Sequence, residues 1–111
     1  MALQRSRAET LKEWRALAER VAEAARRILP ESEVYLMGSV VRGDYTGGSD
    51  IDILITSDTI PEGQLKRAEI KSSIEEGSNL PTAHKIEIHL ARRSEAQNYI
   101  RRAGRHIIKL Q

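Results

Sequence analysis

Two aspartates, Asp50 and Asp52, stand inside the run Asp50-Ile51-Asp52-Ile53-Leu54-Ile55. In an extended strand, residues two apart share a face, so this spacing sets both acids on one side and Ile51, Ile53 and Ile55 on the other. The isoleucines make an ordinary buried face. Two like charges with Cα atoms about 7 Å apart repel, and a cation between them relieves the repulsion. Oxygen-only ligands of high charge suit Mg²⁺ or Mn²⁺, which bind through one or two carboxylates together with substrate phosphates. Just upstream, the apolar run Val34-Tyr35-Leu36-Met37 ends at Gly38-Ser39, where a ligand can approach the backbone closely. A short helix opening at Val40 to Gly43 would present free N–H groups to an anion. An anion site beside a dication site points to a nucleoside triphosphate. The alternative is a hairpin with a Gly-rich turn and a solvated acidic face, and spacing alone leaves both readings open.

A third carboxylate, Glu87, either joins these two or is a solvated strand glutamate. In Lys85-Ile86-Glu87-Ile88-His89-Leu90, the apolar residues alternate with Lys85, Glu87 and His89. If Ile86 and Ile88 join the buried isoleucines, Glu87 falls on the acidic face. His89 shares that face and reads as an exposed strand histidine. Asp44 is a loop acid, and Arg42 either reaches a phosphate or pairs with a local acid.

Gly38-Ser39-Val40-Val41-Arg42-Gly43 followed by Ser49-Asp50-Ile51-Asp52 resembles the Gly-Ser plus Asp-x-Asp motif of the DNA polymerase β-like nucleotidyltransferases. In particular it resembles the small archaeal and bacterial minimal nucleotidyltransferases (the MNT family). Val41 stands where many relatives carry alanine, and Glu87 stands where they more often carry the third aspartate. The resemblance implies a nucleotidyltransferase fold: an α+β domain with a small mixed sheet packed against helices. It also implies transfer of AMP from ATP, with two Mg²⁺ ions on Asp50, Asp52 and Glu87. Gly38, Ser39, Arg42 and Ser49 would bind the nucleotide. Chains of this kind are often encoded beside a helical HEPN protein, and the pair acts as a toxin–antitoxin module in which AMP is added to a toxin tyrosine. The implied partner is therefore a HEPN-type toxin, in a possible homo- or hetero-oligomer. A small-molecule nucleotidyltransferase and a catalytically relict subunit that neutralises its partner by binding are the alternatives.

The elements that must position these residues are legible along the chain. With 111 residues, one small domain over 1–111 is expected, burying roughly two-thirds of its unfolded surface. A net charge of +2 is too slight for a nucleic-acid footprint, and an aromatic content of 4% leaves few stacking surfaces for a template strand. The chain has no cysteine, which excludes disulfides and thiolate metal sites. It has no signal core and no apolar run of about 20 residues, so a cytoplasmic protein without membrane contact is expected.

Leu11, Trp14, Leu17, Ala18, Val21, Ala24, Ala25 and Ile28 recur at helical spacing, which predicts a helix over 10–29 opened by a Thr10–Glu13 capping box and stopped by Pro30. Trp14 reads as a core anchor, and Arg15, Arg20, Arg26 and Arg27 as a solvated face. A strand is predicted over 33–37. A second helix, poorly amphipathic, is predicted over 64–76 with Gly77 just past its end. A strand over 85–90 follows. A last helix opens at Ser94, with Gln97 as box partner and Ala96, Tyr99, Ile100, Ala103 and Ile107 as its apolar stripe. Arg92, Arg93, Arg101, Arg102, Arg105 and Lys109 make this end basic, as a solvated face or as a docking surface.

Overall fold

The computed structural model describes residues 6–44, 51–81 and 85–110. The elements run α1 (Arg7–Ile28), β1 (Glu33–Met37), α2 (Ser39–Arg42), β2 (Ile51–Thr56), α3 (Gln64–Ser78), β3 (Ile86–Ala91), α4 (Arg93–Ala103) and β4 (Ile107–Lys109). The strands form one mixed sheet in the order β3-β2-β1-β4. β1 runs antiparallel to both β2 and β4, while β2 and β3 are parallel, with α3 as the crossover between them. This is the α+β arrangement expected.

Alternation along the strands sorts the side chains into two layers. Val34, Leu36, Ile51, Ile53, Ile55, Ile86, Ile88 and Leu90 are buried in one core with Ala18, Val21, Ala22 and Ala25 of α1 and Ile74 of α3. Trp14 packs at the edge of that core, as an anchor should. On the opposite face, Met37, Leu54 and Ala91 pack with Ala96 of α4, flanked by Tyr35, Tyr99, Ile100, Ala103 and Ile107. The core face of the sheet is therefore continuously apolar, whereas the α4 face is apolar only around Met37, Leu54 and Ala91. Asp52, Glu87 and His89 belong by register to the α4 face, at the end it leaves open.

Several local expectations give way to stronger competing signals. α1 begins at Arg7, capped by Ser6, whose Oγ accepts from Glu9 N at 3.1 Å. Ser6-Arg7-Ala8-Glu9 carries the same spacing as Thr10–Glu13, and because propagation is cheap once a helix is nucleated, the earlier cap prevails. Thr10 lies within the first turn and donates its hydroxyl to Ser6 O at 3.1 Å.

α3 continues through Gly77 and ends at Asn79, which takes the left-handed conformation at φ 50°. The helix can run on because α1 supplies partners for its end: Arg27 donates to Gly77 O at 3.1 Å and Arg20 donates to Asn79 O. Those two arginines thus tie α1 to α3 instead of forming only a solvated face. The α3 stripe turned toward the rest of the protein is Arg67, Ile70, Lys71, Ile74 and Ser78, and Leu65 is exposed. Three of these five residues, Arg67, Lys71 and Ser78, are polar, which is why hydrophobic spacing reads poorly here.

α4 starts one residue before Ser94. Glu95, rather than Gln97, accepts from the N-cap nitrogen of Arg92 at 2.9 Å. Gly104, at φ 59°, ends the helix, and Ile107 then enters β4 instead of extending the helical stripe. Much of the basic C-terminal region is engaged in pairing. Arg92 meets Glu62 at 3.1 Å, Arg93 meets Asp58 at 3.3 Å, and Lys109 meets Glu33 at 2.9 Å.

Arg67 is the most enclosed of these paired cations. It donates to Pro61 O at 2.6 Å, to Leu90 O at 3.2 Å and to Glu95 Oε1 at 2.8 Å, so one guanidinium joins the loop before α3, the end of β3 and the start of α4. Among the described residues no helix is long and apolar enough to cross a membrane.

Candidate active site

Strand pairing builds the site. Parallel register sets Asp52 beside Glu87, and antiparallel register sets Asp52 opposite Met37. Their side chains emerge on the α4 face. His89, two residues beyond Glu87, shares that face and turns its ring toward Asp52. Nε2 of His89 donates to Oδ1 of Asp52 at 2.9 Å. Each of Asp52, Glu87 and His89 offers one ligand atom, and these three atoms lie within 4.8 Å of one another. Asp52 and His89 are half-buried and Glu87 is exposed.

Gly38 closes the site from the β1 side. The chain leaves β1 there at φ 90°, ψ −157°, a conformation essentially confined to glycine. A Cβ at this position would stand 2.8 Å from Oδ2 of Asp52. The glycine therefore serves the backbone turn and also leaves room for a carboxylate against the main chain. Val40 of the α2 turn is buried in the large core, which fixes this corner.

A cleft of about 250 Å³ opens over these residues. Met37, Gly38 and Arg42 line one side, Asp52 and His89 the floor, and Tyr99, Arg102 and Ala103 of α4 the other side. The His89 and Tyr99 rings lie 5.7 Å apart at their centroids, tilted by 49°, and the Arg102 guanidinium sits 5.7 Å above the Tyr99 ring. Arg42 pairs with Asp44 at 3.4 Å, and both partners are exposed. That contact leaves Arg42 at the rim of the cleft.

Of the residues singled out from sequence, Asp52, Glu87, Gly38 and Arg42 come together here, with Ser39 next to Gly38 as the first residue of α2. Asp50 and Ser49 lie outside the described residues. His89 is not the exposed strand histidine expected, because its ring is held between Asp52 and Tyr99. Its place two residues after Glu87 was the available signal. Tyr99 and Arg102, read as apolar stripe and basic face, also line the cleft. Their i, i+3 spacing sets them on one side of α4, but only the packing of α4 on the sheet reveals which side.

The family of the nucleotidyltransferase domain matches residues 18–105. No curated protein matches the sequence. A crystal structure from Sulfolobus solfataricus, of a protein provisionally described as a nucleotidyltransferase, is similar in fold: the TM-score is 0.69 at 24% identity, covering 98% of this chain and 89% of that one.

Proposed function

We propose that this chain, which belongs to the nucleotidyltransferase domain family, transfers AMP from ATP to a hydroxyl of a partner protein, the partner being a HEPN-type toxin that it restrains. The observation that carries the chemical part is the registered juxtaposition of Asp52 and Glu87 beside the Cβ-free backbone of Gly38. The donor set fits a divalent cation: the Asp52 and Glu87 carboxylates offer ligand atoms within 4.8 Å of each other, at a half-open site where a phosphate can complete the shell. Asp52 and Glu87 would hold Mg²⁺, with Asp50 as a further carboxylate of the same motif. When bound, the ion neutralises phosphate charge and makes a hydroxyl more acidic.

The chain's own groups do the rest. Gly38 lets the phosphates lie against the main chain, and Arg42 offers its guanidinium to their oxygens. Glu87, exposed beside Asp52, accepts the proton of the attacking hydroxyl. The new oxygen–phosphorus bond forms at the α-phosphorus as the bond to the β-phosphate oxygen breaks, and pyrophosphate leaves. Positioning and charge neutralisation carry the rate in such a transfer.

The test is incubation with α-labelled ATP and Mg²⁺ together with the product of the neighbouring gene. Label should pass to that protein with the wild type and be lost with Asp52→Asn, while circular dichroism shows the variant folded. Transfer retained by Asp52→Asn would remove Asp52 from the chemistry. Tight co-elution without label from either protein would replace catalysis with neutralisation by binding.

A further inference from the structure

We propose that His89 is a direct metal ligand, so that the site discriminates toward Mn²⁺ and other imidazole-accepting dications over Mg²⁺. This rests on the metal-dependent reading of the same site and specifies which atoms hold the ion.

Three observations converge on it. First, Nε2 of His89 points at Asp52 and stands 2.9 Å from Oδ1. Neighbouring ligands on an octahedral ion, with bonds of about 2.1 Å, stand about 3 Å apart, so the pair already has the separation of two adjacent ligands. Second, Glu87 completes a set of three ligand atoms within 4.8 Å, so one ion can reach all three. Third, the histidine is held rather than free. Its ring packs against Tyr99 at 5.7 Å and is only half-exposed, so little rotamer freedom is left to lose on binding.

The donor chemistry then sets the preference. Carboxylates suit Mg²⁺, Ca²⁺ and Mn²⁺, whereas imidazole suits Zn²⁺, Cu²⁺, Fe²⁺ and Ni²⁺ best, with Mn²⁺ at the weak end of the same transition series. A site of two carboxylate oxygens and one imidazole nitrogen therefore favours the ion that accepts both. Mg²⁺ loses most, since it is bound through oxygen and gives up its waters reluctantly. In the bound state Nε2 presents its lone pair, and the ring proton resides on Nδ1.

Mn²⁺ exceeds Mg²⁺ at oxygen-only sites as well, so the affinity ratio by itself decides nothing. The decisive readout is the nitrogen. Mn²⁺ would be titrated into the full chain by electron paramagnetic resonance, and the bound ion examined by electron spin echo modulation for coupling to ¹⁴N. Mg²⁺ would be measured by competition. The expected result is a directly bound nitrogen in the wild type that His89→Gln abolishes. The variant should weaken Mn²⁺ far more than Mg²⁺, with a wild-type circular dichroism spectrum. Stoichiometric Mn²⁺ binding by the wild type without ¹⁴N coupling would overturn the proposal while leaving the metal-dependent reading intact. That outcome would make His89 a hydrogen-bond partner that orients Asp52. Coupling that survives in His89→Gln would assign the nitrogen elsewhere and overturn it too. Failure of the wild type to bind Mn²⁺ or Mg²⁺ at all would remove the proposal together with the reading beneath it. The wild-type spectrum alone decides the point if the variant does not fold.

Discussion

Replacing Gly38 by alanine should damage stability and chemistry together, for two separable reasons. The backbone there sits at φ 90°, ψ −157°, and holding a non-glycine residue in that region costs about 1–3 kcal/mol. For a domain of around 100 residues, a loss of this size lowers Tm by roughly 4 °C at least and by as much as about 20 °C. The second reason is local. The new Cβ would meet Oδ2 of Asp52 at 2.8 Å, closer than carbon and oxygen tolerate. The carboxylate is the movable partner, and turning it away breaks its 2.9 Å contact with His89. Dication affinity should therefore fall further than the stability loss alone explains. Gly77→Ala is the control. Gly77 lies inside α3, where a Cβ would make ordinary contact with Ala24 at 3.5 Å, so the exchange should raise stability by about 0.5–1 kcal/mol. Differential scanning calorimetry gives the first readout and calorimetric titration with Mn²⁺ the second. A Gly38→Ala protein with unchanged Tm and unchanged Mn²⁺ affinity would refute both the strain and the steric argument.

Three further outcomes follow from contacts described above. Arg67→Ala strands the carbonyls of Pro61 and Leu90 and should cost about 2–3 kcal/mol in urea unfolding, with Arg67→Lys recovering little because an ammonium cannot span the fork. Stability should fall on both sides of neutrality. The Arg67 hydrogen bond, then the Arg92 N–H, hold Glu95 below the usual carboxylate range, and the Lys109 hydrogen bond does the same for Glu33, so their contribution is complete above about pH 4.3 and disappears as pH drops through the lower folded values. Burial raises Tyr35, and the Glu33 hydrogen bond raises Lys109, so their contribution is lost as pH rises past about 10; an acid limb left unchanged by Glu95→Gln would contradict the assignment. Tyr99→Ala removes the aromatic wall of the cleft and should weaken ATP binding about tenfold, the scale of one lost stacking surface, as read by equilibrium dialysis.

The fold was legible where chemistry is local and periodic. Ile51, Ile53 and Ile55 announced a buried strand face, and Ile86 and Ile88 announced its neighbour, so the shared face of Asp52 and Glu87 followed from alternation. Gly38 was legible because only glycine meets a turn and a close approach at once. What stayed hidden depends on pairing across the molecule. α3 reads as weakly amphipathic because its inward stripe uses Arg67 and Ser78, whose bonding partners are the carbonyls of Pro61 and Leu90, Glu95, and Ile74 O. β4 is a three-residue strand whose pairing with β1, not its own composition, makes it a strand. His89 looked like a solvated strand residue because alternation assigns a face but not the helix that covers it.

The parallel pairing of β2 with β3 makes the site all-or-nothing in register. Moving β3 by one residue against β2 would turn Glu87 and His89 toward α1 and α3 and bring isoleucines to the cleft, leaving Asp52 alone. No hairpin turn fixes this alignment; it depends on the length of the crossover through α3 and on where that crossover is fastened. Arg67 is one such fastening, joining the start of the crossover to the end of β3 at the opposite end of the strands from the acids. A change in crossover length between Arg67 and Ile86 would thus act on the chemistry at a distance, as a frame error in space. Variation in this protein should then be freer in residue type along α3 than in residue number.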